Sequence, residues 1–157
     1  MLQTWRDVGL RVVVARPFPH IGRGQAPHFW VVRRCRVLLD AKRTGAPAVA
    51  VGDLSPVRDF LHVDDVVEAY VALLGKGEAG ETYNIASGCG VTLETVHAKL
   101  EQLIGVHPLH EHDAREARPV ASAYLVGDAA KLRRATGWAP QRSLDDTLKE
   151  VVDAQAD

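Results

Sequence analysis

An α/β fold is what this sequence predicts, on three observations. Leu10-Arg11-Val12-Val13-Val14-Ala15 is a continuous apolar, β-branched run, the mark of a parallel strand covered on both faces. Several later segments space their apolar residues at i, i+3 and i+4, as a helix with one buried side does. Between them lie short stretches such as Glu81-Thr82-Tyr83-Asn84-Ile85-Ala86, which alternate with the period of a strand. Helix and strand patterns therefore take turns along the chain, the order from which α/β layers are built.

Taken in order, Met1 to Gly9 reads as the last turns of a helix closed by a glycine C-cap, leading into the Leu10–Ala15 strand. Phe29 to Arg43 is helical, with Phe29, Val32, Val37 and Leu38 roughly on one face, and Ala48 to Val51 is a short strand. Val63 to Gly75 is a helix whose first turn holds Asp64 and Asp65, where the helix dipole favours carboxylates. Its apolar stripe is Val66, Val67, Tyr70, Val71 and Leu74. The strand Glu81 to Ala86 runs into the glycine-rich turn Ser87-Gly88-Cys89-Gly90. Thr92 then caps an amphipathic helix carrying Leu93, Val96, Leu100, Leu103 and Ile104. Leu109 to His112 is a strand, and Asp128 caps a short helix ending at Thr136-Gly137. Ser143-Leu144-Asp145-Asp146 opens the last helix with a variant of the capping box.

Bulk composition removes several function classes. The chain has 157 residues, 46% hydrophobic and 25% charged, which is ordinary for one globular unit with a real core. Nineteen basic and 20 acidic residues are interspersed for a net charge of -1, so no nucleic-acid or membrane surface is expected. No apolar run approaches the roughly 18 residues of a membrane span, and no signal peptide opens the sequence. Cys35 and Cys89 fit neither a metal spacing nor a disulfide scaffold, which predicts a cytoplasmic setting.

The first strand pattern raises a problem of its own. It begins only ten residues in, and a fully buried parallel strand needs neighbours on both edges. The chain offers few other strands of that kind, so it reads as the back portion of something larger. Self-association or pairing with a preceding half is the expected way to cover that edge.

Candidate chemistry is sparse when the residues are read alone. His110 and His112 alternate onto one face of their strand with no third ligand evident, so surface histidines are the reading and no metal is expected. Ser87-Gly88-Cys89-Gly90 precedes a helix, as phosphate-cradling loops do, yet it lacks the lysine of a P-loop and the glycine spacing of a dinucleotide fingerprint. A plain strand-to-helix turn fits as well. Cys89 has no visible base to activate it as a nucleophile. Arg58-Asp59-Phe60 forms either a solvated bend or one wall of a pocket for a flat anionic ligand. Arg58 and Arg118 carry the guanidinium fork that suits phosphate oxygens. Arg142 lies outside every motif.

Four segments change the weighting when taken together: "VVVARPFPHIGRGQAPHFWV", "VRDFLHVDDVVEAYVALL", "GETYNIASGCGVTLETV" and "VGDAAKLRRATGWAP". Over about Thr4 to Ala154 they resemble the C-terminal portion of the extended short-chain dehydrogenase/reductases acting on nucleotide sugars. This is the NAD-dependent epimerase/dehydratase family, and the likeness is greatest to its GDP-mannose 4,6-dehydratase and GDP-4-keto-6-deoxy-mannose reductase branch. The resemblance implies the C-terminal part of a Rossmann-type NAD(P)-binding fold, residues 1–26, followed by a small α/β substrate-binding region, residues 27–157. Pro17, Phe18 and His20 would lie against a nicotinamide cofactor, NAD or NADP. Gln25 to Phe29 would start the helix that meets the nucleotide. Arg58 and Arg118 would hold the diphosphate, Phe60 would lie beside the nucleoside, and Cys89 would make a backbone contact near base and ribose.

Departures from the family pattern bear on substrate identity. Pro19 stands where an asparagine usually donates to the substrate, Arg23 where proline is frequent, and Ala121 where an acidic residue binds the ribose. The glycine-rich cofactor loop and the Tyr-x-x-x-Lys pair do not occur in these residues: Tyr70, Tyr83 and Tyr124 are followed four positions on by Leu74, Ser87 and Asp128. The expected function is the nucleotide-sugar-binding portion, GDP-hexose above all, of an NAD(P)-dependent reductase, dehydratase or epimerase, inactive alone. A non-catalytic nucleotide-binding module is the alternative.

Overall fold

The computed structural model describes residues 9–113 and 122–156. The helical turns expected from Met1 therefore lie outside the described residues, as do Arg118 and Ala121. Among the described residues nine short strands run β1 Val14–Pro17, β2 His20–Ile21, β3 Ala48–Val51, β4 Val57–Asp59, β5 Leu61–His62, β6 Thr82–Ile85, β7 Gly90–Thr92, β8 Leu109–His112 and β9 Tyr124–Leu125. The helices are α1 Trp30–Thr44, α2 Val63–Lys76, α3 Leu93–Ile104, α4 Ala130–Thr136 and α5 Leu144–Ala156. Three pairings are parallel and two-stranded: β1 with β6, β2 with β5, and β3 with β8. The fourth sheet has the order β7-β4-β9, antiparallel to β7 and parallel to β9. This is the α/β architecture with parallel sheets that the alternating patterns predict.

Two cores share the chain. The first lies among α1, α3, α5 and the β3–β8 pair, with Cys35, Leu38, Val96, Leu100 and Leu148 wholly buried. The second lies among α2, α4 and the β1–β6 pair, around Tyr83, Ile85, Ala69 and Leu132. α3 shows why its segment is helical. Thr92 caps it by accepting from the Thr95 amide, Gly105 ends it at φ 73°, and Val96, Leu100 and Ile104 repeat on the buried side. Each such side chain gains roughly 1.5–3 kcal/mol by leaving water. At α5 the expected capping box is present: Ser143 Oγ donates to Asp146 at 2.6 Å and accepts from the Asp146 amide at 3.1 Å. Asp128 likewise accepts from the Ala130 amide at the start of α4.

Three expectations need correction. The first strand begins at Val14, four residues later than its apolar run; Leu10 is 60% exposed, and β1 is half-exposed. A parallel strand is buried on both sides only where elements cover both. Among the described residues β1 has β6 alone as a partner, with α2 packed against it. The buried face of α1 is Val31, Val32, Cys35, Leu38 and Ala41, whereas Val37 points outward and Phe29 precedes the helix. On α2 the core side is Val66, Ala69 and Leu73; Val67, Val71 and Leu74 of the expected stripe are exposed, Leu74 by 88%. That helix has two apolar sides, and the described residues cover one.

The start of α2 also departs from a simple dipole reading. His62 is its cap, with Nδ1 accepting from the Asp64 amide at 3.1 Å. Its other nitrogen then carries the proton and donates to Glu150 of α5 at 2.9 Å. Asp65 is fully buried and takes Arg142 as its partner at 2.6 Å, so Arg142 is a structural cation although no motif contains it.

Candidate functional site

Side chains of an extended strand alternate between faces, and that alternation explains Arg58-Asp59-Phe60. Arg58 and Phe60 line a cavity of about 590 Å³, while Asp59 between them is fully buried on the other side. The volume falls within the ~300–1,000 Å³ of small-molecule sites.

The cavity gathers seven of the residues that the sequence reading singled out. Pro17, Phe18 and His20 come from the carboxyl end of β1 and the start of β2, and Gln25 and Phe29 from the segment entering α1. Arg58 and Phe60 supply the β4 side. Several of these groups are held. The Phe18 carbonyl lies 3.1 Å from His20 Nδ1, and Gln25 Nε2 donates to the His20 carbonyl at 2.8 Å. Arg58 Nη1 donates to the Val57 carbonyl at 2.7 Å. Gln25 Oε1 is buried with no hydrogen-bond partner. Phe18 sits hard against Gly127: a Cβ there would lie 2.6 Å from Phe18 Cε2 and 2.5 Å from Ala86 Cβ, so only glycine lets the ring in.

Pro19 and Leu93, named in the sequence for other reasons, also line the cavity, as do Trp30 and Arg33 on the first turn of α1 and Asp53, which had not stood out. Arg33 follows Phe29 by four positions, and that helical spacing was the available signal. Asp53 accepts from Ser55, whose hydroxyl and amide hold its carboxyl below the usual range.

Cys89 is not brought to the cavity; it is exposed in its loop. That loop is no phosphate cradle, because its amides are already engaged. Ser87 N and Oγ donate to Asp59 Oδ1 at 3.0 and 2.5 Å, and Gly88 N donates to Oδ2 at 3.0 Å. Cys89 N donates to Ser87 Oγ, and Gly127 N completes the Asp59 set at 3.2 Å. One carboxylate thus ties β4, the Ser87 turn and the entry to α4 together. His110 is not paired with His112 either; it faces His97 and Glu101 of α3.

Comparison with known proteins agrees with the fold and the motifs. The family model for GDP-mannose 4,6 dehydratase matches residues 1–151. The chain is 35% identical over 145 residues to GDP-6-deoxy-D-mannose reductase of Pseudomonas aeruginosa, covering 92% of this chain and 48% of that one. A solved structure of RMD from the same organism, complexed with NADPH, superposes with a TM-score of 0.88 at 35% identity, covering 98% of this chain and 51% of that one. UDP-glucose 4-epimerase of Thermotoga maritima, solved with UDP-glucose, matches at 29% identity and a TM-score of 0.79, covering 97% and 48%. The chain spans about half the length of each of these relatives. With four motifs in register, a family model over nearly all its length and the same α/β layering, this chain belongs to the GDP-mannose 4,6-dehydratase family.

Proposed function

We propose that this chain is the nucleotide-sugar-binding portion of an NAD(P)-dependent 4-reductase, dehydratase or epimerase, with a GDP-hexose as its ligand. The observation that carries the reading is the single cavity joining the β1 strand end to Arg58, Phe60 and Phe29. Ligands of open α/β sheets lie beyond the carboxyl ends of the strands, where this cavity lies. Arg58, tethered through one N–H to Val57, has further donors for a diphosphate oxygen. Phe29 and Phe60 offer flat apolar faces to a base or ribose. Gln25 Oε1, buried and unpartnered, is an acceptor for a ligand hydroxyl or amide.

Pro17, Phe18 and His20 fit one wall of a nicotinamide site. Pro17 brings no N–H, Phe18 a ring locked against Gly127, and His20 an imidazole oriented by the Phe18 carbonyl. Bound there, the nicotinamide would supply or accept the hydride. The chain's own part is to fix the sugar nucleotide and to keep water from that face. With no Tyr-x-x-x-Lys among these residues, turnover belongs to an assembly with a cofactor-holding half, and the isolated chain binds without reacting.

Calorimetric titration of GDP tests the reading. Charge-assisted hydrogen bonds to phosphate are worth about 1.5–3 kcal/mol, so Arg58→Ala weakens binding roughly ten- to a hundred-fold. Arg43→Ala, whose side chain is exposed and paired with Asp40, leaves it unchanged. Absence of GDP binding by the parent chain at millimolar concentration, or equal affinities of the two variants, overturns the proposal.

A further inference from the structure

Away from the cavity, α3 and β8 bring three donor atoms onto one point. His97 and Glu101, one helical turn apart, face His110 across the interface. His97 Nε2 lies 3.1 Å from His110 Nε2 and 3.3 Å from Glu101 Oε1, and His110 Nε2 lies 2.7 Å from that same oxygen. His97 is 1% exposed and Glu101 8%, while His110 opens to solvent.

Hydrogen bonding leaves one ring nitrogen of this cluster, His97 Nδ1, without a partner. At 2.7 Å from a carboxylate, His110 Nε2 must carry its proton and point it at Glu101. His97 Nε2, when protonated, shares Glu101 Oε1 at 3.3 Å, which leaves its Nδ1 as a buried acceptor with nothing to accept from. If instead the His97 proton sits on Nδ1, that atom is buried with no acceptor. Either tautomer of His97 leaves Nδ1 buried without a partner, while three donor atoms crowd one point beside it. A cation at the centre would take a lone pair from each of the three donor atoms. The ligand-to-ligand edge of a tetrahedral zinc site with bonds of about 2.0–2.1 Å is about 3.4 Å, and two of the three edges here lie within 0.3 Å of it.

We propose that His97 Nε2, His110 Nε2 and Glu101 Oε1 form a binding site for a divalent transition-metal ion of the zinc type, with water in the fourth position on the open His110 side. Two imidazoles and a carboxylate are a zinc donor set. Burial and the nearby charge of Arg34 both disfavour a second charge on the His97 ring. Arg34 opposes a second positive charge here, and Glu101 offsets it. His97 Nδ1 lacks the outer partner that usually backs a zinc histidine. The site is therefore weaker than a fully backed one by about 10–100-fold. The ion would pin β8 to α3, a structural role separate from the nucleotide cavity.

The test uses the whole chain freed of metal with a chelator. Zinc is titrated against a chromophoric chelator, and cobalt(II) is added separately for its visible absorption. The proposal expects one ion per chain, intense tetrahedral cobalt bands, and a thermal midpoint that rises with zinc. His110→Ala, at a half-exposed position that tolerates truncation, weakens binding at least ~10-fold and abolishes the cobalt bands. His112→Ala, two positions along the same strand and outside the triangle, changes nothing. The proposal is overturned if the parent takes up no stoichiometric zinc, or if His110→Ala and His112→Ala bind alike. Circular dichroism of each variant separates lost binding from lost fold.

Discussion

Asp59→Ala should cost this chain a large part of its stability. The carboxylate accepts four hydrogen bonds, from Ser87 N, Ser87 Oγ, Gly88 N and Gly127 N, at 2.5–3.2 Å and with no exposure to solvent. Bonds to a charged acceptor are worth about 1.5–3 kcal/mol each, but they are not additive, and water entering the space left behind restores some of them. Alanine also strands three backbone amides, each costing about 1–3 kcal/mol if it stays dry. Breaking one side of a buried charged network typically costs ~3–5 kcal/mol, and that is the expected loss. It compares with a total of roughly 5–15 kcal/mol for an ordinary domain. Urea unfolding followed through the buried Trp138 measures it, with an unchanged m-value as the sign that the native state is intact. Hydrogen exchange localises it, since the amides of Ser87, Gly88 and Gly127 should lose protection together. Asp59→Asn, which keeps one acceptor and opposes donors with a donor, should fall between. A loss below about 1 kcal/mol for Asp59→Ala, with those amides still protected, would refute the view that this carboxylate organises the loop.

Other outcomes follow from the same structure. Cys89 is exposed, whereas Cys35 is wholly buried with its thiol pushed up to about 11, so a thiol reagent at pH 8 should modify Cys89 alone until denaturant is added; mass mapping of the labelled peptides checks this. Arg142→Ala should lower the thermal midpoint clearly more than Arg43→Ala, because it leaves the buried Asp65 without its cation, and adding Asp65→Asn should recover part of the loss. The hydrogen bond from His62 holds the Glu150 carboxyl below its ordinary 4.5. Its contribution is thus complete above pH 4.5 and is lost as pH falls through the lower folded value. Glu150→Gln should flatten that acid limb in urea melts at stepped pH, and an identical limb in both proteins would disprove the assignment.

The longer elements were legible from periodicity because their packing is local to one face. α3, α5 and β3 stand within a residue or two of where spacing and caps put them. The strands of two or three residues, β2, β4, β5, β7 and β9, were not, since so short a run has no measurable period. α2 misled for a different reason. Its apolar residues occupy two sides of the helix, and hydropathy alone does not say which side meets the β1–β6 pair. Of the site, Arg58, Phe60 and the β1 strand end were legible through the family motifs, whereas Arg33 and Asp53 sit in no motif. The His97–Glu101–His110 triangle was hidden because it joins a helix to a strand, a relation carried by the fold and not by spacing.

The alternation at β4 has an evolutionary consequence. Neighbouring residues here answer to different demands: Asp59 to folding, Arg58 and Phe60 to the cavity they line. Because the two sets face opposite ways, the cavity-facing positions can change without renegotiating the loop anchor between them. Changes at Asp59 have no such freedom, since each disturbs three chain segments at once. The cavity lining can therefore be retuned while the scaffold stays still, as suits a layered fold that hosts many different sites.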